Sequence, residues 1–403
     1  MKLTLLLFRR LAIKINISFA FLLFLFLLWS CDEDMAIDRF EYEPNAVSIT
    51  PDNYRVISKI SSELLSCGPV AIAHNNSMTI VYLADEVSPV ETESSKTIFL
   101  RCARFNLYEA KEDIKFLDIA KANTMLNGFN IGKVIPYEPN LTKLDDSTLL
   151  AMFRIGGTKG EYYSCQVDTE SLVCENFCQM TLDKHLMNSA NVRMSYEQLT
   201  ESTMSDTPTL VFTTRIINKD GFFYSHLGGY GYNGIVVKSK NGIDWESVFV
   251  PTYVEHLSYI LEGALGEDPK TGNIFLCARG DNMVLYSYDK EFNTIARPRL
   301  LAGTTTSKPT FFCYHDNLYL IVNMEKYENM GFGRRNTAHI YKVNGDTGNM
   351  ELTKVMQCRE GCSYHSVQVI NDDIWVVFQT DARHIALENQ GRSNLALYKL
   401  QMD

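Results

Sequence analysis

One phrase returns along nearly the whole chain, and it narrows the possible folds more than any other feature. A short strand-forming run opens near a proline or another turn residue. Two or three polar or glycine residues reverse it, and a second apolar run follows. The clearest copies are Pro69–Ala84, Pro139–Ile155, Leu257–Arg279, Pro309–Asn323 and His365–Gln379, with Pro208–Arg215 a degenerate sixth. Apolar and polar residues alternate within each copy, as in Thr310-Phe-Phe-Cys-Tyr, and the pair Asp316-Asn317 supplies hairpin-turn chemistry. The opening positions are separated by 70, 69, 49, 52 and 56 residues. Four antiparallel strands with their turns occupy about 40–60 residues, one blade of a β-propeller, so the longer intervals leave room for insertions. The spacing predicts an all-β, six-bladed β-propeller over residues 51–403; five blades is the neighbouring count, because the Pro208 copy is short. A two-sheet sandwich also uses many strands but gives less reason for a phrase to recur at blade length. Helical patterning is confined to Asp113–Thr124 and Met194–Met204, a turn or two each.

Residues 1–30 read as a signal peptide rather than as part of this body. Lys2, Arg9, Arg10 and Lys14 precede an apolar run from Ile15 to Trp29, which Ser30-Cys31 ends. That run is shorter than the roughly 20 residues a membrane span needs, and a signal anchor is the alternative. Leu28-Trp29-Ser30-Cys31 resembles the lipobox of bacterial lipoproteins. The resemblance implies lipidation at Cys31 and an exported chain anchored by lipid to the outer membrane. Asp32-Glu33-Asp34 is similar to the acidic stretch that sends lipoproteins of the Bacteroides group to the cell surface. Residues 31–50, with Pro44, read as an acidic and polar tether.

Loss of the four basic residues of the leader leaves 34 basic against 48 acidic residues, a net charge near −14. So acidic a body, with no long basic run, is unsuited to nucleic acid or to an anionic lipid surface. The chain has ten cysteines. With Cys31 given to lipid, nine remain, and an odd number leaves at least one thiol unpaired. Cys277 and Cys313 lie inside apolar strand runs, where a free thiol behaves as a small hydrophobe. Cys174/Cys178 and Cys358/Cys362 are close enough to form local loops, but their pairing is not determined by spacing. No Cys/His spacing points to a metal site, and no motif calls for a cofactor.

Ser239-Lys-Asn-Gly-Ile-Asp-Trp245 resembles the Asp-box of sialidase-type propellers, a hairpin in which polar side chains hold the turn and a tryptophan packs beneath it. Two further segments resemble sialidases. Glu262-Gly-Ala-Leu-Gly-Glu-Asp-Pro-Lys-Thr-Gly-Asn-Ile-Phe-Leu-Cys-Ala-Arg279 is similar to the family's stretch from a glutamate to a strand-ending arginine. Cys362-Ser-Tyr-His-Ser-Val-Gln-Val is similar to the stretch holding the family's tyrosine. The resemblance implies Tyr364 as nucleophile, Glu262 as its activating carboxylate, and Arg279 as one arm of a three-arginine clamp on a substrate carboxylate. Phe153-Arg154-Ile155 resembles the start of the Phe-Arg-Ile-Pro motif, with Gly156 in place of proline, and adds Arg154 as a second candidate arm. Arg215 closes the Pro208 phrase in a similar position.

The chemistry of that set is coherent. A tyrosine attacks an anomeric carbon only if a base takes its proton, and an arginine cluster holds a sugar carboxylate bidentately. An arginine ending a strand also serves simply to satisfy backbone carbonyls, and most tyrosines are structural. His365 divides evenly between ligand contact and core hydrogen bonding. Asp381 and Arg383 follow an inner strand and extend the same rim. Tyr230 and Tyr232, in a Gly-rich loop, offer a stacking platform for a sugar ring. The family's general acid has no clear match, although Asp206 and Asp381 are available. Three functions remain open: a retaining exo-sialidase-type hydrolase, a non-catalytic glycan-binding or structural lipoprotein of a polysaccharide-use system, and a glycosidase with two axial carboxylates. In each the partner is a glycan or small acidic carbohydrate.

Overall fold

The recurring phrases fold into the inner hairpins of six successive meanders. The computed structural model describes residues 44–402, except 59–62, 87–96, 109–113, 122–124, 127–128, 131–135, 156–160, 184–210, 213–214, 229–233, 253–261, 281, 305–306, 325–334 and 381–393. Blade 1 runs outward through Glu63–His74, Ser77–Glu86, Thr97–Asn106 and Lys115–Lys121. Blade 2 comprises Pro136–Lys143, Thr148–Ile155, Glu161–Asp168 and Cys174–Gln179. In blade 3 the innermost strand is broken into Val211–Phe212 and Ile217–Lys219, followed by Phe222–Gly228, Ile235–Ser239 and Asp244–Phe249. Blade 4 is Gly263–Glu267, Ile274–Arg279, Met283–Tyr288 and Thr294–Leu301. Blade 5 is Thr310–Tyr314, Asn317–Met324, Thr337–Val343 and Met350–Cys358. Blade 6 takes Ser363–Ile370, Asp373–Thr380 and Asn394–Leu400 from the end of the chain, and Arg55–Val56 from its beginning. That outer pairing ties the two ends of the propeller together.

Local chemistry explains the hairpins. Between first and second strands, Asn75, Asp220, Asp316, Asn371 and Asp372 all have φ between 48° and 65°. Asn and Asp tolerate this left-handed region because their short polar side chains bond locally. Between third and fourth strands, one side-chain oxygen instead caps the N–H groups that follow it. Asp168 Oδ1 accepts from Glu170 and Ser171, Asp289 Oδ1 from Glu291 and Asn293, and Asn344 Oδ1 from Asp346 and Thr347. In blade 3, Asn241 Oδ1 accepts from Ile243 and Asp244, and the Trp245 indole N–H donates to the Gly242 carbonyl at 3.0 Å. Gly242 has φ +71°, which favours glycine, and a Cβ there would have to displace the Leu150 methyl of blade 2, 2.0 Å away.

Six apolar clusters lie each between two neighbouring blades, and this decides the count. Val81 and Leu100 meet Phe153 and Cys165 between blades 1 and 2. Leu150 and Met152 meet Val237 and Trp245 between blades 2 and 3. Val236 packs with Leu276 and Tyr286, and Phe275 and Leu285 with Leu320. Ile321 and Ile340 meet Val376 and Phe378 between blades 5 and 6, and Val377 with Leu395 returns to Ile80 and Phe105 of blade 1. The sixth seam closes the ring, so the count is six and not five.

The structure differs from the sequence reading at three places. Asp113–Thr124, read as helical, contains the outer strand of blade 1. Arg101 pairs with Asp118 there at 2.6 Å, and the alternation of Lys115-Phe-Leu-Asp-Ile-Ala suits a strand with one buried face. Val47–Ile49, inside the expected tether, pairs in parallel with Met350–Cys358 and buries Ile49 completely. Cys313 is exposed rather than buried, and Cys102, Cys165, Cys174, Cys178, Cys277, Cys313, Cys358 and Cys362 are free thiols. Residues 1–43, including Cys31, lie outside the described residues, as does Met194–Met204.

Candidate functional site

Each innermost strand touches the innermost strand of the next blade. The starts of these strands therefore gather at one mouth of the central channel and their ends at the other. Glu262 directly precedes the first strand of blade 4, Ser307 and Lys308 precede that of blade 5, and Tyr364 is the second residue of that of blade 6. Arg279 ends the second strand of blade 4, which returns to the same mouth. Arg335 precedes the third strand of blade 5, which departs from it. Five blade-end positions thus bring a carboxylate, a phenol and three cations to one place.

The charges interlock. Glu262 Oε2 forms an ion pair with Arg279 Nη1, and Lys308 Nζ lies 3.9 Å from Glu262 Oε1. Both side chains of the Glu262–Arg279 pair are largely buried, and the Glu262 carbonyl also accepts the Arg279 backbone N–H at 2.6 Å. The Arg335 guanidinium lies 5.0 Å from the centre of the Tyr364 ring, a cation–π arrangement.

Tyr364 itself is strained. Its φ is +52°, and the pairing of its strand with Asp373–Thr380 slips between Ser363 and Ser366. A bulky residue in this region is a genuine outlier, and such bulges re-aim a side chain. The Tyr364 N–H donates to Ser307 Oγ at 3.2 Å, and this contact helps hold the bend. Burial raises the Tyr364 pKa and the Glu262 charge raises it further, against the opposing pull of Arg335 and Arg279. The phenol is therefore protonated near neutral pH and needs a base to act as a nucleophile.

Asn323 ties the two halves of this site. Its Nδ2 donates to the carbonyls of Cys362 at 2.7 Å, Thr337 at 3.2 Å and Arg335 at 3.4 Å. The Cys362 N–H donates to the Arg335 carbonyl at 2.9 Å. On the other side of Glu262, the buried His226 ring packs where Gly263 has no side chain; a Cβ there would lie 2.7 Å from His226 Nδ1.

Of the residues expected from the sequence, Tyr364, Glu262 and Arg279 come together. His365, next in the chain, is 3% exposed, and neither ring nitrogen has a partner of hydrogen-bond geometry. Burial lowers its pKa to about 3, with slight opposition from the Cys362 backbone. Arg154 takes the strand-end position in blade 2 that Arg279 takes in blade 4, half-buried and in register with Tyr162 and Tyr137. Arg215 lies apart: its Nη1 donates to the carbonyls of Phe311 at 2.7 Å and Val367 at 3.3 Å. Tyr230, Tyr232, Asp381, Arg383 and Asp206 lie outside the described residues.

Sequence reasoning missed Arg335, Lys308, Ser307, Asn323 and His226. Lys308 and Ser307 stand just before the Pro309 phrase, at the position Glu262 takes in blade 4, and that alignment was the available signal. The others lacked one.

No protein-family model and no curated protein matches the sequence. Solved structures do match in shape. A leech intramolecular trans-sialidase superposes with a TM-score of 0.59 at 11% identity, covering 88% of this chain and 70% of that one. A Streptococcus pneumoniae sialidase gives 0.55 at 10%, covering 87% and 71%. Trypanosoma rangeli sialidase in complex with sialic acid gives 0.56 at 10%, covering 87% and 59%. The fold is sialidase-like. At these identities the likeness is one of fold, and the chain spans about 60% of the length of the Trypanosoma rangeli proteins.

Proposed function

We propose that this protein binds and hydrolyses terminal acidic sugars of glycans, as a retaining, exo-acting glycosidase of the sialidase type. One observation carries the reading: a tyrosine held in a strained bulge beside a buried carboxylate, with two guanidinium groups close by. A sialic acid-type sugar bears a carboxylate on its anomeric carbon. Arg279 and Arg335 would grip it, and a neutral phenol can approach a centre that would repel an anionic nucleophile. The Trypanosoma rangeli and Streptococcus proteins of the same fold are sialidases, and one is complexed with sialic acid.

In this reading the substrate carboxylate competes with Glu262 for Arg279, which frees Glu262 to accept a proton. Tyr364 Oη bonds to the anomeric carbon as its proton passes to Glu262. The bond to the leaving oxygen breaks, and that oxygen takes a proton from an acid supplied outside the described residues, for which Asp206 and Asp381 are candidates. Water, giving its proton to the conjugate base of that acid, then attacks the tyrosyl-linked sugar; the bond to Tyr364 Oη breaks, and the phenolate recovers its proton from Glu262.

One observation favours a second reading, a glycan-binding protein without turnover. Glu262 is already engaged by Arg279 and approached by Lys308, so the base is occupied at rest. A fluorogenic sialoside separates the two. Turnover lost in Tyr364→Phe sustains hydrolysis; binding of free sialic acid with no turnover moves the site to the second reading. Neither turnover nor binding removes both.

The lipobox-like Leu28–Cys31 places the propeller, in the same proposal, at the outer membrane surface on a Cys31-linked lipid. Cys31→Ala would then release the protein from membranes, and unchanged membrane retention would end that part of the reading.

A further inference from the structure

The ends of the innermost strands form the other mouth of the channel, and it contains a cavity of about 490 Å³. Its lining includes Arg215, Leu265, Phe311, Cys313, Leu318 and Val367, and none of Tyr364, Glu262, Arg279 or Arg335. From Tyr364 to Val367 the blade 6 strand advances three residues, about 10 Å. Arg215 belongs to blade 3, yet it donates to carbonyls of blades 5 and 6. Since blade 3 neighbours only blades 2 and 4, this side chain crosses the channel.

Among the described residues Arg215 has no carboxylate partner. Nη1 is spent on the two carbonyls, while Nε and Nη2 have no acceptor among the described residues. Burial lowers the Arg215 pKa, which records the cost of holding this charge without an anion. Glu267 also lines the cavity, but Lys219 engages it at 2.9 Å. Asp268, nearby, caps its own turn by accepting from Lys270 and Thr271. Of the two charged side chains that line the cavity, the one left without a counter-ion is the Arg215 guanidinium.

We propose that this cavity is a second ligand site, which takes a small organic carboxylate with an apolar body. The Nε and Nη2 hydrogens form the fork that matches a carboxylate bidentately. The remaining wall is mostly apolar, from Leu265, Phe311, Leu318 and Val367, and suits a hydrocarbon or aromatic body rather than a bare inorganic anion. The volume accommodates a ligand of about the size of an aromatic acid. This proposal does not depend on the chemistry at the opposite mouth.

Cys313 supplies a local readout, because it lines the cavity and is the exposed thiol among the described cysteines. The full chain is treated with a thiol reagent, and labelling of Cys313 is followed by peptide mass spectrometry with benzoate, benzamide or inorganic phosphate present. Benzoate is expected to slow labelling, with benzamide roughly tenfold weaker because it lacks the charge, and phosphate without comparable effect. Arg215→Gln should abolish protection by benzoate, and Arg215→Lys should weaken it while keeping the charge. Equal protection by benzamide, equal protection by phosphate, or no protection by benzoate would each overturn the proposal. If Arg215→Gln does not fold, the three probes on the wild-type chain and Arg215→Lys still decide it; undiminished protection in Arg215→Lys would refute the bidentate contact.

Discussion

The two mouths of one channel are built from the same strands and differ in almost every other respect. Where the innermost strands end, the chain mostly reverses at once: two residues separate His74 from Ser77, Tyr314 from Asn317 and Ile370 from Asp373. Where they begin, the connections to the third strands run to ten residues after Glu86, twelve after Met324 and thirteen after Thr380. Tight Asx turns satisfy their own backbone and leave little to vary, whereas long connections over a rigid body are where function is commonly carried. Charge follows the same division. At the starting mouth Glu262 meets Arg279 and Lys308, with Arg335 beside Tyr364, and the backbone is strained. At the ending mouth the Arg215 guanidinium lies across a mostly apolar cavity whose Glu267 is engaged by Lys219. The propeller thus separates a densely compensated site from an uncompensated charge.

The largest effect should come from removing the Tyr364 hydroxyl. Tyr364→Phe is expected to lower turnover of a fluorogenic sialoside by at least ~10³-fold, as loss of a nucleophile does, while benzoate protection of Cys313 is unchanged. Arg215→Gln should give the reverse pattern. If either variant abolished both readouts, the two mouths would be coupled and the division drawn above would fail. Next in size is Asn323→Ala. It removes a donor from the carbonyls of Cys362 and Thr337 in a buried setting, while the Arg335 carbonyl keeps the Cys362 N–H, and should cost about 1–3 kcal/mol in denaturant unfolding. Because Asn323 also holds Arg335 over Tyr364, KM for the sialoside should rise as well. Loss of stability with kinetics unchanged would leave Asn323 a purely structural clamp.

Much of the scaffold was legible because it rests on local rules. Alternating runs and Asx turns mark the inner hairpins, and their recurrence at blade length gave six blades. Pro208–Arg215 was read as a worn copy for a physical reason, since the innermost strand of blade 3 is broken between Phe212 and Ile217. Asp113–Thr124 misled because its charges are spaced as on a helix, while pairing with Thr97–Asn106 and the Arg101–Asp118 contact decide for strand. The site was legible only where a residue sits in a recognisable segment, as Glu262, Arg279 and Tyr364 do. Arg335 and Asn323 act through contacts across 29 and 39 residues of sequence, from Arg335 to Tyr364 and from Asn323 to Cys362, and no local pattern encodes such a distance. Arg215 shows the opposite limit: its strand-end position resembled that of Arg279, but the break in its strand sends it across the channel instead.

The smallest expected effect tests what lies between the two mouths. His365 follows Tyr364 and precedes Val367, whose carbonyl Arg215 uses, and its own carbonyl accepts from Thr310 Oγ1 at 2.5 Å. Burial lowers its pKa to about 3, from an ordinary value of 6.5. The neutral ring is therefore an uncharged partition between the charges at either end. Above pH 6.5 neither the folded nor the unfolded chain protonates this group, and its stabilising contribution is fully present. As pH falls from about 6.5 toward about 3, the unfolded chain takes up a proton that the folded chain refuses, so stability declines by up to ~1.4 kcal/mol per pH unit. His365→Asn should remove that part of the slope. Unfolding free energies of both proteins between pH 4 and 7.5 measure it by difference, which cancels the carboxylates common to the two. The wild-type curve is expected to fall more steeply toward low pH than the variant's, whatever the fixed cost of the substitution at pH 7.5; parallel curves would mean that the folded chain protonates His365 at the same pH as the unfolded chain, so that the partition between the mouths does not stay neutral below about pH 6.5.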